Sequence, residues 1–426
     1  MNLQGFGRGF HKGGTARCVL QFAFFCFVRG ALLCLLQPCF FVQGEAFASP
    51  APSTDLLPAP EVVLWHNLGR EQAEALRAQT TSFNIGRKVR VRVEDVTDLL
   101  ASTLKAQLHG RLPEMILSTP DVLSLKKTLR LSKLKRSFIQ EQISANTLEL
   151  ATQKNELWGA PLLQGNHLML YFNKALVNTP AATWQQMALQ KLRFAAQGKE
   201  TILWDFFAPY FFLPFYCGFV ACEKEMLNAN TLPEPALEIA LKVYFELGRE
   251  FLSPEKCLYE CALNKFKSGK VVYFISGDWD FATLQKGLQN NLGIAPLPAY
   301  QSHSVPSLYT SYLLMFPGNS LEGPQHSTLL AYLRFLQSKP VQKSFARTGR
   351  IPVNLPVFES MKQQSSAALL AMLTQLDNAK PLPGGAHAMI FWSGLQKAFR
   401  LLNDKVVNEH EAAQVINTVL AQEHDF

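Results

Sequence analysis

The stretch "GKVVYFISGDWDFA", residues 269–282, combines a strand, a sharp turn and the start of a helix. The apolar run 271–275 favours a strand buried on both faces, and Ser276-Gly277-Asp278 is typical of a turn. We predict that a helix follows over residues 280–288. Because the turn carries the chain outward, Trp279 is predicted to lie at the carboxyl end of the strand rather than inside the core.

Strands and helices alternate on both sides of this stretch. Strands are predicted at residues 61–66, 89–93, 114–117, 292–298 and 307–316. This order predicts an α/β fold in which helices flank mostly parallel sheets. Ligands bind beyond the carboxyl ends of the strands in such sheets, so His66-Asn67 and Ser118-Thr119 are expected beside a cleft.

Composition limits the function classes. The chain has 426 residues, of which 48% are hydrophobic, enough for two domains or one large α/β unit. The net charge is +8, of which residues 1–48 carry +3. The remaining charge is mild, and the richest basic stretch, residues 126–136, is spaced as an exposed helix face, so nucleic acid is not an expected partner.

The N-terminus resembles an export signal. Basic residues precede a long apolar segment, and Ala46-Phe47-Ala48 forms a cleavage motif before Ser49. We predict an export leader over 1–48 and a proline-rich tether over 49–60. An uncleaved membrane anchor, or a lipid attached to a leader cysteine, is the alternative.

Four cysteines follow the leader, at positions 217, 222, 257 and 261. An even number in an exported protein favours two disulfides, with buried thiols as the alternative. Their spacing departs from the common zinc motifs, so no metal is expected.

Catalytic signatures are missing from the sequence: it contains no nucleophile elbow, phosphate-binding loop, zinc-protease motif or dinucleotide fingerprint. Aromatic residues instead stand at predicted element boundaries, at Trp65, Trp204, Tyr210, Trp279 and Trp392. Aromatic rings can stack on the CH faces of sugars, and the alternative for each ring is packing in the core. The sequence therefore favours a binding protein over an enzyme.

Three segments carry a family resemblance: "NELWGAPLLQGNHLMLYFNKALVNTPAATWQQM" (155–187), "FKSGKVVYFISGDWDFATLQ" (266–285) and "AYLRFLQSKPVQKSFARTGRIPVN" (331–354). They resemble the extracellular solute-binding proteins of ABC importers, family 1, which include the maltose-binding-like proteins. The matching positions extend from about residue 61 to residue 400.

The resemblance implies the type II periplasmic binding protein fold, with two α/β lobes joined by crossing hinge segments that close on a ligand. We assign residues 61–163 and 299–318 to lobe 1, and residues 164–298 and 319–426 to lobe 2. The resemblance also implies a monomer outside the cytoplasm that needs no cofactor and delivers a small solute, expected to be a sugar, to an ABC transporter permease.

The resemblance assigns ligand contacts residue by residue. "PYFFLPF" (209–215) and "AMIFWSGLQKAF" (388–399) match two lines of the maltose-binding type, in which the aromatic residue stacks on sugar. The implied ligand-binding residues are Trp65, Asn67, Ser118, Gln164, Asn166, Tyr210, Asp278, Trp279 and Trp392.

The sequence departs from that type in having fewer acids to hold sugar hydroxyls. Ala208 stands where the maltose-binding type has an acid, and Ser118-Thr119-Pro120 replaces a loop in which an acid or amide is common. The smaller number of such acids argues against maltodextrin itself as the ligand. A non-sugar solute such as an amine, peptide or metal complex, a secreted glycan-active enzyme and an adhesive surface lipoprotein remain alternatives.

Overall fold

A computed structural model describes residues 60–252 and 257–422. The predicted leader, and all of the predicted tether except its last residue, lie outside the described residues, so both remain predictions. Within the described ranges, no helix combines the length and the apolar character that a membrane span requires.

The strands of the described chain are β1 (Glu61–His66), β2 (Arg90–Asp95), β3 (Met115–Ser118), β4 (Thr152–Gln153), β5 (Glu156–Leu157), β6 (Ala160–Gly165), β7 (Leu168–Asn173), β8 (Glu200–Leu203), β9 (Val271–Gly277), β10 (Leu292–Ala295), β11 (Leu308–Met315), β12 (Ile351–Pro352) and β13 (Lys380–Pro381).

The helices are α1 (Arg70–Asn84), α2 (Leu99–Leu108), α3 (Ala145–Leu150), α4 (Trp184–Ala195), α5 (Leu213–Phe219), α6 (Glu234–Phe251), α7 (Tyr259–Lys267), α8 (Phe281–Leu288), α9 (His326–Leu336), α10 (Lys339–Arg347), α11 (Leu355–Gln363), α12 (Ala367–Asp377), α13 (Ala388–Asn403) and α14 (Glu409–Ala421).

The first sheet has the strand order β12-β6-β11-β3-β1-β2, and β13 pairs with β11. Strand β1 runs parallel to both β2 and β3. Its last residue, His66, pairs with Asp95 of β2 and Leu117 of β3. The carboxyl ends of these three strands therefore lie along one edge of the sheet, as the sequence predicts.

The second sheet has the order β10-β7-β9-β8. All seven residues of β9 are buried, because Tyr273 and Ile275 on one face pack in one hydrophobic cluster and Phe274 on the opposite face packs in another. The predicted burial of this strand on both faces is confirmed. The helix predicted after it is α8, preceded by a 3-10 turn over Asp278–Asp280.

The two sheets are joined by crossing segments. Strand β6 of the first sheet continues through Asn166 and His167 into β7 of the second, and β10 of the second sheet is followed by β11 of the first. The Ser307 hydroxyl donates a hydrogen bond to the Leu168 carbonyl, at 2.5 Å, and so joins the two crossings. This arrangement agrees with the predicted pair of lobes connected at a hinge.

Both sheets are mixed rather than mostly parallel, which corrects one detail of the prediction. Strand β11 is antiparallel to both β3 and β6, and β7 is antiparallel to both β9 and β10. The reason is the crossing itself: β7 and β11 enter their sheets from the other lobe and run against their neighbours.

Helices α9 and α10 pack on the first sheet, where Leu333 and Phe345 share a cluster with Val62 and Leu64. Helices α11 and α12 pack on the second sheet. The sequence analysis placed all of residues 319–426 in lobe 2. The lobe boundaries stay a prediction, and these contacts favour moving residues 319–353 to lobe 1.

The basic stretch 126–136 is not a helix. It forms turns and a 3-10 turn over Arg136–Phe138, because Leu129, Leu131 and Leu134 are buried and a two-residue spacing does not fit one helical face. The predicted exposed helix face is therefore wrong.

The four described cysteines form two disulfides, Cys217–Cys222 and Cys257–Cys261. Each closes a short loop. The preference for disulfides over a thiolate metal site agrees with this pairing.

We expect the double variant Cys217→Ala/Cys222→Ala to lose about 2 kcal/mol of unfolding free energy, because the bond restricts the unfolded chain. Urea denaturation of the oxidised protein and the variant measures the difference. A reductant should destabilise the native protein by breaking both disulfides, whereas in the variant it can break only Cys257–Cys261. An unchanged urea midpoint of the native protein after reduction would contradict the prediction.

Candidate ligand-binding site

Three aromatic rings converge beside the hinge. The ring centroid of Tyr210 lies 6.1 Å from that of Trp279 and 6.3 Å from that of Trp392. Each ring is half-buried against the large cluster of the second lobe. They come from the loop after β8, the turn after β9 and the first turns of α13. The structure thus brings together three of the residues singled out in the sequence, with part of each ring left exposed.

Trp279 is held by a chain of hydrogen bonds. Its Nε1 donates to the Tyr259 hydroxyl at 2.7 Å, and that hydroxyl donates to Asp280 Oδ2 at 2.6 Å. The same oxygen accepts from the Ser276 hydroxyl at 2.6 Å. Burial raises the pKa of the Asp280 carboxyl, and these two donors oppose the increase. The indole also folds over Gly277, where any Cβ would overlap the ring.

Tyr210 is fixed to the hinge. Its hydroxyl donates a hydrogen bond to the backbone carbonyl of Asn166, which lies between β6 and β7 and adopts φ 54°. Burial raises the pKa of the Tyr210 hydroxyl well above its usual range, so it stays a neutral donor. We call the surface formed by Tyr210, Trp279 and Trp392 the aromatic wall. Through the Tyr210 hydrogen bond, this wall is attached to the segment about which the lobes would rotate.

Four of the other sequence-predicted residues belong to strands of the first sheet or follow one directly, whereas the three rings come from other elements. Trp65 is half-buried at the carboxyl end of β1, and its Nε1 donates to Glu94 Oε2 at 2.5 Å. Asn67 is exposed one residue beyond that strand, and Ser118 is buried at the end of β3. Gln164 gives its amide N–H to the Pro352 carbonyl at 2.8 Å. Their contact with a ligand stays a prediction.

Trp204, the remaining boundary aromatic of the sequence analysis, is a core residue. It is 1% exposed, and its Nε1 donates to the Tyr244 hydroxyl at 3.0 Å. Core packing is the correct interpretation of this ring, because α6 covers it.

A buried group of charges lies at the hinge. The carboxylate of Asp278 is fully enclosed, with Oδ1 at 3.9 Å from His167 Nδ1 and Oδ2 at 4.0 Å from Arg350 Nη1. Neither oxygen has a hydrogen-bond partner among the described residues. A Cβ at Gly165, where φ is 118°, would overlap this carboxylate. Direct contact of Asp278 with a ligand stays a prediction, and its enclosure favours a role at the hinge.

The buried imidazole gives a prediction on pH. Burial lowers the pKa of His167 from its ordinary 6.5, while Asp278 and the Met372 carbonyl oppose the decrease. The unfolded chain therefore binds more protons below pH 6.5, and the contribution of His167 to stability is complete above that pH and is lost as the pH falls.

We expect the unfolding free energy to decrease less steeply in His167→Gln than in the native protein between about pH 7.5 and pH 5.5, the interval that contains the ordinary histidine pKa. Denaturant titrations across this range measure the slope. His109→Gln is the control, because His109 is exposed, and it should keep the native slope; equal slopes in all three proteins would contradict the prediction.

A cavity of about 430 Å³ is lined by residues that include the start of α13, the helix that carries Trp392. Its walls come from the 3-10 turn Pro120–Leu125 and from the first turns of α13, which contribute Met389 and Ser393. Trp392 itself does not line the cavity, but Met389 does and lies three positions before it on α13, so the two side chains are neighbours on the helix surface. The volume lies within the usual range of small-molecule sites.

Sequence reasoning missed several residues of this region. Tyr259 and Asp280 position Trp279, Arg350 faces Asp278, and the Arg350 guanidinium lies 5.7 Å from the ring centre of Tyr312. No local pattern could reveal these pairs, because the partners are distant in sequence. In the described ranges, no group of three or more histidine, cysteine, aspartate or glutamate side chains is arranged for a metal ion.

Comparisons with known proteins agree with this architecture. The model of the bacterial extracellular solute-binding protein family matches residues 75–371. No curated protein matches the sequence. Among solved structures, the chain is similar to the maltose/maltodextrin-binding domain MalE from Bdellovibrio bacteriovorus bound to maltotriose, with a TM-score of 0.74 and 20% sequence identity. That alignment covers 85% of this chain and 99% of the other.

The family match extends over more than half of the chain, and both the family and the similar structure are binding proteins rather than enzymes. The structural similarity confirms the type II periplasmic binding protein fold expected from the sequence. The chain belongs to the bacterial extracellular solute-binding proteins.

Proposed function

We propose that this protein captures a sugar or oligosaccharide in the cleft between its lobes and delivers it to the membrane permease of an ABC transporter. The main observation that supports this proposal is that the rings of Tyr210, Trp279 and Trp392 lie together and are partly exposed. Aromatic faces match the CH faces of sugar rings, and the partly exposed side-chain amide of Asn166, whose backbone carbonyl is hydrogen-bonded to Tyr210, can serve sugar hydroxyls as donor and acceptor.

Two further observations support the proposal. The similar solved structure was obtained with maltotriose bound, and the hydrogen-bond chain from Asp280 through Tyr259 holds the Trp279 ring in one orientation. A platform fixed before binding costs less conformational entropy when the ligand arrives. The protein would act as a monomer without a cofactor, in the periplasm or another extracytoplasmic space, either free or anchored to a membrane through its leader or a lipid.

A thermal-shift screen of the purified full chain tests the proposal. The panel contains neutral sugars and oligosaccharides, acidic saccharides, amino acids, peptides, polyamines and metal complexes. Because a ligand of the folded state raises stability by mass action, we expect saccharides to raise the melting temperature. Stabilisation by one of the other classes, with no effect of any saccharide, would overturn the sugar assignment.

A further inference from the structure

The cavity lined by Met389, the helical neighbour of Trp392, is rich in lysine. Four lysines line it, against two carboxyl residues, Asp121 and Glu225: Lys126, Lys127, Lys154 and Lys224. They come from three separate segments of the chain, the turn after Leu125, the hairpin between β4 and β5, and the segment that follows α5. The fold therefore adds Lys154 and Lys224 to the start of the basic stretch 126–136 and gathers positive charge from distant parts of the chain.

Few of these charges are neutralised. Lys127 and Lys154 have no ion pair within the described residues, and the Lys126 ammonium donates to a neutral group, Gln153 Oε1, at 2.6 Å. Lys224 approaches Glu149 only to 3.7 Å, and that carboxylate is 63% exposed. Burial lowers the pKa of Lys126, and the adjacent lysines lower it further. Mutual repulsion of this kind costs free energy that a bound anion would remove.

Other donors face the same space. Helix α13 begins at the cavity wall, and its N-cap residue, His387, makes no side-chain cap. The 16 residues of this helix direct the positive end of its dipole toward the cavity. Thr310 also lines the cavity; it is 1% exposed, and its hydroxyl has no hydrogen-bond partner. A ligand oxygen in the cavity would satisfy this buried hydroxyl.

We propose that the ligand is an acidic saccharide, whose sugar rings stack on the aromatic wall while its carboxylate or phosphate group enters the lysine-lined cavity. This inference rests on the proposed function and specifies the class of sugar. It accounts for a departure noted in the sequence: the acids that hold neutral sugar hydroxyls in the maltose-binding type are reduced here, and the cleft supplies cations instead. Carboxylate and phosphate share the chemistry that these donors recognise.

Calorimetric titration of the full chain with size-matched disaccharides tests the inference. Digalacturonate is compared with maltose, and trehalose 6-phosphate with trehalose. We expect at least one acidic member to bind about tenfold or more tightly than its neutral partner, and to weaken as salt is raised from about 0.05 to 0.5 M, because the charges are partly exposed. The tighter acidic probe then identifies carboxylate or phosphate as the recognised group.

The variant Lys126→Gln/Lys154→Gln should weaken the acidic probe at least tenfold and leave a neutral sugar unchanged, since each lost charged hydrogen bond is worth on the order of tenfold in affinity. Lys242→Gln/Lys286→Gln removes the same charge from exposed positions outside the cavity, and it should bind both probes normally. Equal effects of the two double variants would overturn the cavity assignment.

The outcomes separate this inference from the function on which it rests. If neutral saccharides bind as tightly as acidic ones, and if substitution of an aromatic wall residue such as Trp392 weakens their binding, the acidic class is overturned and the proposed function is supported. Failure of every saccharide would overturn both.

Discussion

Replacing Trp392 with alanine is expected to lower the affinity for the saccharide ligand about 30- to 100-fold, which corresponds to about 2–3 kcal/mol of binding free energy. The indole is half-exposed and lies 6.3 Å from Tyr210, so its loss removes one wall of the stacking surface. A sugar ring would then keep hydrogen bonds but lose the apolar contact that excludes water around them. Calorimetric titration with the strongest saccharide from the screen measures the change.

The free protein should tolerate this substitution. Trp392 stands in the first turns of α13, where alanine has the higher helix propensity, and the ring packs on the protein with only part of its surface. We expect the melting temperature without ligand to fall by only a few degrees. Trp392→Phe is the matched control, because it keeps an aromatic face at the same position and should retain most of the affinity. An alanine variant that binds like the native protein would remove Trp392 from the site.

Much of the fold follows from local sequence. The apolar run of β9 with its Ser-Gly-Asp turn predicts a strand and helix at the observed positions, since burial on both faces leaves a continuous hydrophobic signal. The direction of β7 and β11 could not be predicted in this way. Strand direction depends on which lobe the chain has just left, and that is a property of the whole topology.

The candidate site is predictable only in part. Trp204 and Trp279 look alike in sequence, each at the end of a buried strand, yet α6 covers the first and leaves it 1% exposed, whereas the second stays half-exposed. The family resemblance, rather than any local pattern, distinguishes them. The lysine-lined cavity is indicated only in part by the sequence. Lys126 and Lys127 belong to the basic stretch 126–136, whereas Lys224 is about a hundred residues away and reaches the same cavity only in the folded chain.

The same limit applies to the charges buried at the hinge, and it leads to the largest expected effect on stability. Replacing Asp278 with asparagine keeps the volume of the side chain and removes its charge. Arg350, whose side chain is 7% exposed, would then lose the carboxylate that lies 4.0 Å from its Nη1. An uncompensated buried charge is strongly unfavourable, so we expect Asp278→Asn to lose about 3 kcal/mol of unfolding free energy at neutral pH.

Asp377→Asn provides the matched control. Asp377 forms an ion pair with Lys362 at 2.7 Å, but its side chain is 49% exposed, and water replaces most of what the pair contributes. We expect this control to lose less than about 1 kcal/mol. Urea denaturation of both variants compares an enclosed ion pair with a solvated one in the same protein.

The double variant Asp278→Asn/Arg350→Met distinguishes charge from packing. If the cost of Asp278→Asn arises from the unpaired guanidinium, removing the guanidinium as well should recover part of the lost stability, and the two single effects should not add. Additive losses would show that each side chain contributes through its own packing and that the hinge charges are not coupled. Recovery would instead show that Asp278 and Arg350 are electrostatically coupled, and the pair would then link the turn that carries Trp279 to the segment between α10 and β12.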